Sequence, residues 1–424
     1  MTEPAALARR LGSFDAVVIG LGSMIGAGVF SAFAPAAASA GSGLLVGLVL
    51  AAFVAFCNAI ASAQLAAQYP TSGGTYVYGR ERLGPWWGFV AGWSFVVGKT
   101  ASCAAMALTV AAYAVPGSSW LERLVAVVVV VVLTGVNLRG ITRTAGLARI
   151  LVAGSLAALA VVVATVFVSG RAEVTRLTDG GVSGGTYGIL QAAGLLFFAF
   201  AGYARIATLG EEVREPRRTI PRAILIALAI TVAVYASVAV ATLAALGPAA
   251  LAATSTPLAG AVDAVGAAWA EPVVRVGAAI ASAGALLALV AGVGRTALAM
   301  AREGDLPRTL AVVDSRHSVP HHAELAVGAA VVLLVLLTDL RGAIGFSSFG
   351  VLTYYAIANA AAFTQRAPDR RSPRALNVIG CIACVALIAT LPADAVTLGL
   401  ALLAAGLVGR VLTVRRRRSP ASTV

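Results

Sequence analysis

Charge is scarce in this chain. Of 424 residues only 12% are Asp, Glu, Lys or Arg, where a soluble globular domain carries about 25%. Hydrophobic residues make up 59% and the mean hydropathy is +0.92. That balance excludes an ordinary soluble domain and leaves an all-α integral membrane protein with little mass outside the bilayer. Lysine is almost absent, since Lys99 is the single one among 31 basic residues. Histidine is confined to one loop, as His317, His321 and His322, with Pro320 interrupting the pattern. With no acidic pair inside an apolar stretch either, neither a nucleophile with its base nor a metal-ligand set exists at membrane depth. No cofactor, metal or catalytic residue is expected, and the chain does not read as an enzyme. The four cysteines, Cys57, Cys103, Cys381 and Cys384, all fall in apolar segments and give no disulfide framework. Cys381 and Cys384 are spaced like a redox pair, but without flanking charge they read as packing.

What the chain has in abundance is long apolar runs. At about 20 residues per crossing, they divide into roughly twelve spans. Five lie near 14–39, 43–67, 86–115, 121–138 and 145–169. Five more lie near 186–210, 220–246, 272–301, 323–339 and 343–365, and a last pair near 375–391 and 394–413. The first run is longer than the roughly 7 to 15 residues of a secretory h-region, so it reads as a span rather than a cleaved leader.

The formal net charge of +13 is spread in short runs between apolar segments, which argues against a nucleic-acid partner. Twenty-three arginines fall on the side of the termini, among them Arg9, Arg10, Arg80, Arg82, Arg214, Arg217, Arg218 and Arg415 to Arg418, against five on the other: Arg123, Arg171, Arg176, Arg275 and Arg341. The positive-inside rule then places both termini in the cytoplasm of a plasma (inner) membrane protein. Three basic residues are left within the bilayer: Lys99, Arg205 and Arg295.

The first span is interrupted at "GSMIGAG", with Gly22, Gly26 and Gly28, and the sixth carries Gly202, Arg205 and Gly210. In hydrocarbon every backbone polar group needs a partner, so a helix is broken only where protein or a water-filled cavity can satisfy it. Five spans separate the two breaks. That pattern predicts two five-helix repeats of inverted topology, each led by a discontinuous helix, with a site between them near the midplane. N–H groups at the start of a half-helix suit a carboxylate, and unwound carbonyls suit an ammonium or cation. The competing reading is close helix packing, which Gly22, Gly26, Gly43 and Gly47 also fit.

Three segments carry a resemblance: "GSMIGAGVF", "YPTSGGTYVYGRERLG" and "FFAFAGYARIATLGEEVREPRRTIP". With "TALAMAREGDLP" at 296–307, they resemble the amino acid–polyamine–organocation (APC) superfamily, and within it the bacterial cationic amino acid transporter-like permeases. The resemblance implies a LeuT-type 5+5 core with discontinuous helices 1 and 6 plus two peripheral helices, and amino acid uptake or exchange by alternating access. The chain then divides into a cytoplasmic N-terminus (1–13), a first repeat (14–169), an extracellular loop (170–185), a second repeat (186–365), the peripheral pair (366–413) and a basic cytoplasmic tail (414–424). The first-span backbone at Ile25, Gly26, Ala27 and Gly28 would hold the substrate carboxylate. Around Gly202, the carbonyls of Phe198, Ala199 and Ala201 would hold the amino group, with Phe200 and Tyr203 as gates or pocket walls.

Departures from the family pattern are informative. Cationic-type relatives often carry an acid shortly after the Gly-aromatic pair, where this chain has Ala204 and Arg205. Proton-coupled relatives place a lysine in the fifth span, where the corresponding position here is Val152. Lys99 lies about thirteen residues into its span, roughly 20 Å deep, too far to reach either surface. Desolvation favours the neutral form of an amine, so Lys99 is a candidate for proton coupling. As alternatives it is a fixed charge in place of a bound cation, or a cap on carbonyls of a broken helix. Arg205 is placed like an inner gate. Two positive charges near the pocket repel cationic substrates, so neutral amino acids are expected, with the proton as coupling ion. The alternatives are an exchanger, a cationic amino acid or polyamine carrier, and a non-transporting amino acid sensor. Beyond substrate, proton and lipid bilayer, no obligatory protein partner is expected.

Overall fold

In the computed structural model the described residues are 11–71, 73–115, 117, 119–140, 145–314, 316, 317 and 319–418. Of the expected cytoplasmic N-terminus (1–13) and basic tail (414–424), residues 1–10 with Arg9 and Arg10, and residues 419–424, lie outside the described residues, as does Arg143 of an expected cytoplasmic loop.

Among the described residues the regular structure is helical, apart from two isolated bridges, Leu11 with Val213 and Gly41 with Val182. The first apolar run is three helices in line: α1 (Ser13–Met24), α2 (Ala27–Ser31) and α3 (Phe33–Ala40). Then come α4 (Leu44–Gln68), α5 (Gly74–Leu83), α6 (Pro85–Ala114), α7 (Ser119–Leu138) and α8 (Ala145–Val168). The sixth run is α9 (Gly185–Phe200), a 3-10 turn (Ala201–Tyr203) and α10 (Ala204–Ala207). It is followed by α11 (Pro216–Ala253), α12 (Pro257–Ala264), α13 (Glu271–Arg302), α14 (His321–Leu337) and α15 (Leu340–Phe363), and finally α16 (Arg374–Thr390) and α17 (Ala393–Arg418).

Nine of the described helical stretches are long and apolar enough to cross a membrane. Helices α14 and α16 are shorter, at 17 residues each, and α15 has 24. The chain is therefore a multi-pass membrane protein, and each apolar run of the sequence is helical over most of its length. Helix α11 runs past the expected boundary at 246, but Gly247 (φ 70°, ψ 166°) and Pro248 break it there. Helices α5 and α12 occupy stretches that read as loop. Pro85 opens α6 directly after Gly84, whose φ of 102° turns the chain between α5 and α6.

Lipid offers no hydrophobic drive for one helix to bury against another, so association depends on close packing and interhelical hydrogen bonds. Helices α6 and α15 cross glycine on glycine: a Cβ on Gly98 would stand 2.9 Å from Gly350 Cα. One turn away, the Ser102 and Ser347 hydroxyls meet at 2.6 Å. Helix α16 is tied into this body, since the Cys384 thiol donates to Asn58 Oδ1 on α4 (3.4 Å) and Gln64 Nε2 donates to Asn377 (3.5 Å). Beyond the end of α13, Asp305 gathers the Tyr76 hydroxyl (2.9 Å), Arg80 (3.4 Å) and Arg410 of α17 (3.3 Å). The Arg410 guanidinium lies 4.7 Å from the ring centroids of both Trp86 and Phe89. Burial, and then the charge of Asp305, push the Tyr76 phenol above its ordinary value, so it remains a donor to that carboxylate.

Replacing Gly98 by valine forces atoms into rigid backbone and is expected to cost about 1–3 kcal/mol, read as a lower unfolding midpoint of the detergent-solubilised protein. Gly154→Ala on α8, where a Cβ meets nothing within 4 Å, should leave the midpoint unchanged or raised. Equal midpoints for the two variants would contradict the packing account.

Candidate functional site

The two interrupted runs touch at their interruptions. Helix α1 stops at Met24, and Ile25 (φ −82°, ψ 65°) and Gly26 (φ −119°, ψ −140°) leave helical geometry before α2 begins. The second interruption is gentler, a tightening into 3-10 at Ala201 to Tyr203 rather than a full unwinding. A Cβ on Gly28 would stand 2.6 Å from Ala199 Cα, and one on Gly202 would overlap the Ser23 carbonyl. Glycine at both positions is what allows the backbones to meet. Gly22 packs on Val152, Gly26 on Ala285, and Gly47 on Ala192. The packing reading therefore holds for these glycines, and Gly26 both packs and breaks.

Each freed carbonyl has a protein donor. Tyr235 of α11 places its hydroxyl 2.6 Å from the Met24 carbonyl and 3.0 Å from that of Ala199, so it touches both runs. A phenol carries one proton, so only one of the two carbonyls receives it at any moment. The Ala201 carbonyl accepts from Lys99 Nζ (3.2 Å) and from Tyr355 (3.4 Å). The Phe198 carbonyl accepts the Ala201 N–H. The carbonyls expected to face an ammonium thus lie together around the interruption, with tyrosines and Lys99 on them.

Ile25, Ala27 and Gly28 are buried beside this point, as are Phe198, Ala199, Phe200, Ala201 and Tyr203. The Phe200 ring lies 5.0 Å from that of Tyr235, and Tyr203 lies 5.0 Å from Tyr355. Lys99 is 7% exposed, and among the described residues no carboxylate lies within ion-pair distance of it. Val152 borders the first interruption as an apolar side chain, while the cation reaches the second interruption from α6.

A cavity of about 210 Å³ runs from Leu11 and Glu212 to Ser23 and Ile25, walled by α8 and α13 and lined also by Arg205. On the other flank Tyr113 donates to the Phe30 carbonyl (2.9 Å) and accepts the Leu258 N–H (3.3 Å), joining α6, α2 and α12. A larger depression of about 430 Å³ lies beside the Gly247 break and the 170–185 loop, remote from both interruptions. Its Arg176 is engaged by Glu173 and the Ala245 carbonyl. The segment after α10 is tied to the start of the chain's described part by backbone: the Leu11 N–H donates to Glu212 O (3.1 Å) and the Arg214 N–H to Leu11 O (2.9 Å). Arg295 is exposed. Of the histidines, His317 pairs with Asp314 (2.9 Å) and His322 contacts the Thr309 carbonyl (2.9 Å).

Tyr113, Tyr235 and Tyr355 were not singled out from the sequence. The signal was present, since a tyrosine inside an apolar run must find a partner for its hydroxyl, but the partner's identity requires the fold.

Two interrupted helices meet inside a multi-pass bundle, beside a cavity that reaches Ser23 and Ile25 of the first interruption, and the class of protein is a membrane permease. The chain belongs to the amino acid permease family, whose profile matches residues 11–405, and so to the APC superfamily; it is an amino acid transporter and not an enzyme. It is 59% identical over 420 residues to an uncharacterized transporter of Mycobacterium tuberculosis (strain ATCC 25618 / H37Rv), covering 98% of this chain and 94% of the relative. The branched-chain amino acid permease BcaP of Bacillus subtilis (strain 168) is 26% identical over 398 residues, 88% of this chain and 84% of the relative. The vacuolar cationic amino acid transporter 2 of Arabidopsis thaliana is 27% identical over 368 residues, 82% of this chain and 58% of the relative.

Tyr235→Phe keeps the ring on Phe200 and removes the one hydroxyl that touches both runs. It is expected to cost about 1–3 kcal/mol, read as a lowered unfolding midpoint together with a marked loss of amino acid uptake in proteoliposomes. Unchanged midpoint and uptake would rule out a bridging role.

Proposed function

We propose that the chain is a secondary active transporter of neutral amino acids that works by alternating access, with both termini in the cytoplasm of the plasma membrane. In this reading the twelve apolar runs are twelve crossings, ten of them in two inverted repeats led by the α1–α2 and α9–α10 runs. The observation that carries it is the contact between the two interruptions at Gly28 with Ala199 and Gly202 with Ser23. It gathers the Met24, Ala199 and Ala201 carbonyls at one buried point beside the start of α2. A zwitterion suits such a point: its ammonium meets the carbonyls gathered there, and its carboxylate lies at Ile25, Gly26, Ala27 and Gly28. Phe200 and Tyr203 wall the pocket. In this reading the cavity beside Ser23 and Ile25 is part of the route to the site, and the contacts of Tyr113 with Phe30 and Leu258 lie on the opposite flank.

Lys99 and Arg205 carry positive charge toward the centre, which disfavours a cationic substrate in a low-dielectric site. This agrees with the name of the branched-chain relative and departs from that of the cationic ones. Lys99 is the coupling group, exchanging a proton as its contact with the Ala201 carbonyl forms and breaks. A second reading comes from the same contact: an amine bound permanently to that carbonyl is a fixed cation, which makes the protein an exchanger.

Alanine uptake into proteoliposomes separates these. For a proton-coupled carrier, accumulation requires an acidic exterior, ignores a large excess of arginine, and loses its pH dependence in a folded Lys99→Ala variant. Uptake that needs internal amino acid identifies an exchanger, and competition by arginine contradicts neutral selectivity.

A further inference from the structure

The cavity beside the first interruption is lined by two residues of opposite charge that form no salt bridge with each other. Arg205 projects from the end of the sixth run and uses a single N–H, from Nη1 to the Thr208 hydroxyl at 3.1 Å. That hydroxyl in turn donates to the Arg205 carbonyl (2.8 Å), so it is a neutral prop and not a counter-ion. No carboxylate among the described residues comes within 4.0 Å of the guanidinium, which leaves most of its five donors in a planar fork. Glu212 lines the same cavity and makes no ion pair with a described residue within that distance. Its backbone is fixed by the Leu11 N–H (3.1 Å), which holds the residue at this end of the cavity. Both residues are half-buried. Much of the remaining wall is apolar, including Ile19, Leu151 and Ala288, which strengthens any charge pairing formed there.

We propose that this cavity is a second amino acid site on the transport path, in which Arg205 takes the carboxylate of a zwitterion and Glu212 its ammonium. Unlike charges that face one volume without touching leave room for a ligand that carries both signs. At about 210 Å³, against the ~30 Å³ share of one water, the volume accepts a small amino acid. The site lies between the interruption at Ser23 and Ile25 and the mouth at Leu11 and Glu212, so a substrate leaving the centre is handed from backbone groups to side chains before reaching water. A cationic amino acid brings a further positive charge toward Arg205, and the site therefore selects the same net-neutral substrates. This inference rests on the transport reading, yet the site is testable apart from it.

The test uses the full chain in nanodiscs with Ala148→Cys, a half-exposed position on α8 lining the cavity, and follows its alkylation rate. The parent protein controls for Cys381, the half-buried one of four native cysteines, the others being buried. Propionate and alanine should each slow alkylation severalfold. Arg205→Gln should abolish protection by propionate and Arg205→Lys should retain part of it, while Glu212→Gln should weaken protection by alanine and leave that by propionate intact. Unfolding midpoints confirm that each variant is folded. Equal protection in Arg205→Gln, or none by either probe in the unsubstituted background, overturns the proposal and leaves a solvated vestibule. Alanine uptake by the same proteins keeps the two failures apart: protection without uptake retains the site and discards the transport reading, and uptake without protection discards the site alone.

Discussion

The structure depends on how the backbone at two interrupted helices is satisfied inside an apolar body. In such surroundings each unpaired carbonyl or N–H costs several kcal/mol, on the order of a strong hydrogen bond. The chain meets this with tyrosine hydroxyls from α11 and α15 and one ammonium from α6, all reaching the carbonyls of α1 and the sixth run. These donors come from helices remote in sequence, so the interruption is stable only once the bundle has assembled. Gly28 and Gly202 supply the other half of the solution, because backbone contact across the crossing is possible only without a Cβ on them.

The Met24 carbonyl accepts the Gly26 N–H (2.9 Å) as well as contacting the Tyr235 hydroxyl, so the first interruption is paired both by its own backbone and by a distant helix. Lys99 serves the second interruption in the same way. Its contact with the Ala201 carbonyl is the cap that one reading of the sequence allowed, and the same contact is where a coupling proton or a fixed cation would act.

Charge elsewhere is arranged by depth. Asp305, just beyond α13, draws α5 and α17 together at one end of the bundle, with Arg410 held against two aromatic rings of α6. Helix α17 is no loose appendage, and neither is α16, whose Cys384 and Asn377 bond to α4. Arg205 and Glu212 differ in kind, since they line one cavity and neither makes an ion pair with a described residue.

Much was legible in the residues themselves. Apolar runs of fixed length located the helices, because hydrocarbon thickness and rise per residue leave little choice. The glycine clusters marked the interruption at Ile25 and Gly26, and the scarcity of charge made Lys99 and Arg205 conspicuous. The helical course of α5 and α12 was not legible, since short surface helices bounded by glycine and proline look like loops. Nor were the roles of Tyr235, Tyr355 and Tyr113, because a hydroxyl in an apolar run announces that it needs a partner without saying which. By itself the sequence determined a multi-pass helical membrane protein with interruptions in its first and sixth runs, since local hydropathy and glycine act through nearest neighbours. Only the tertiary structure decided that the interruptions touch, that three tyrosines and a lysine serve the backbone around them, and that Arg205 and Glu212 share a cavity. Those facts depend on contacts between residues far apart in the chain, which periodicity does not encode.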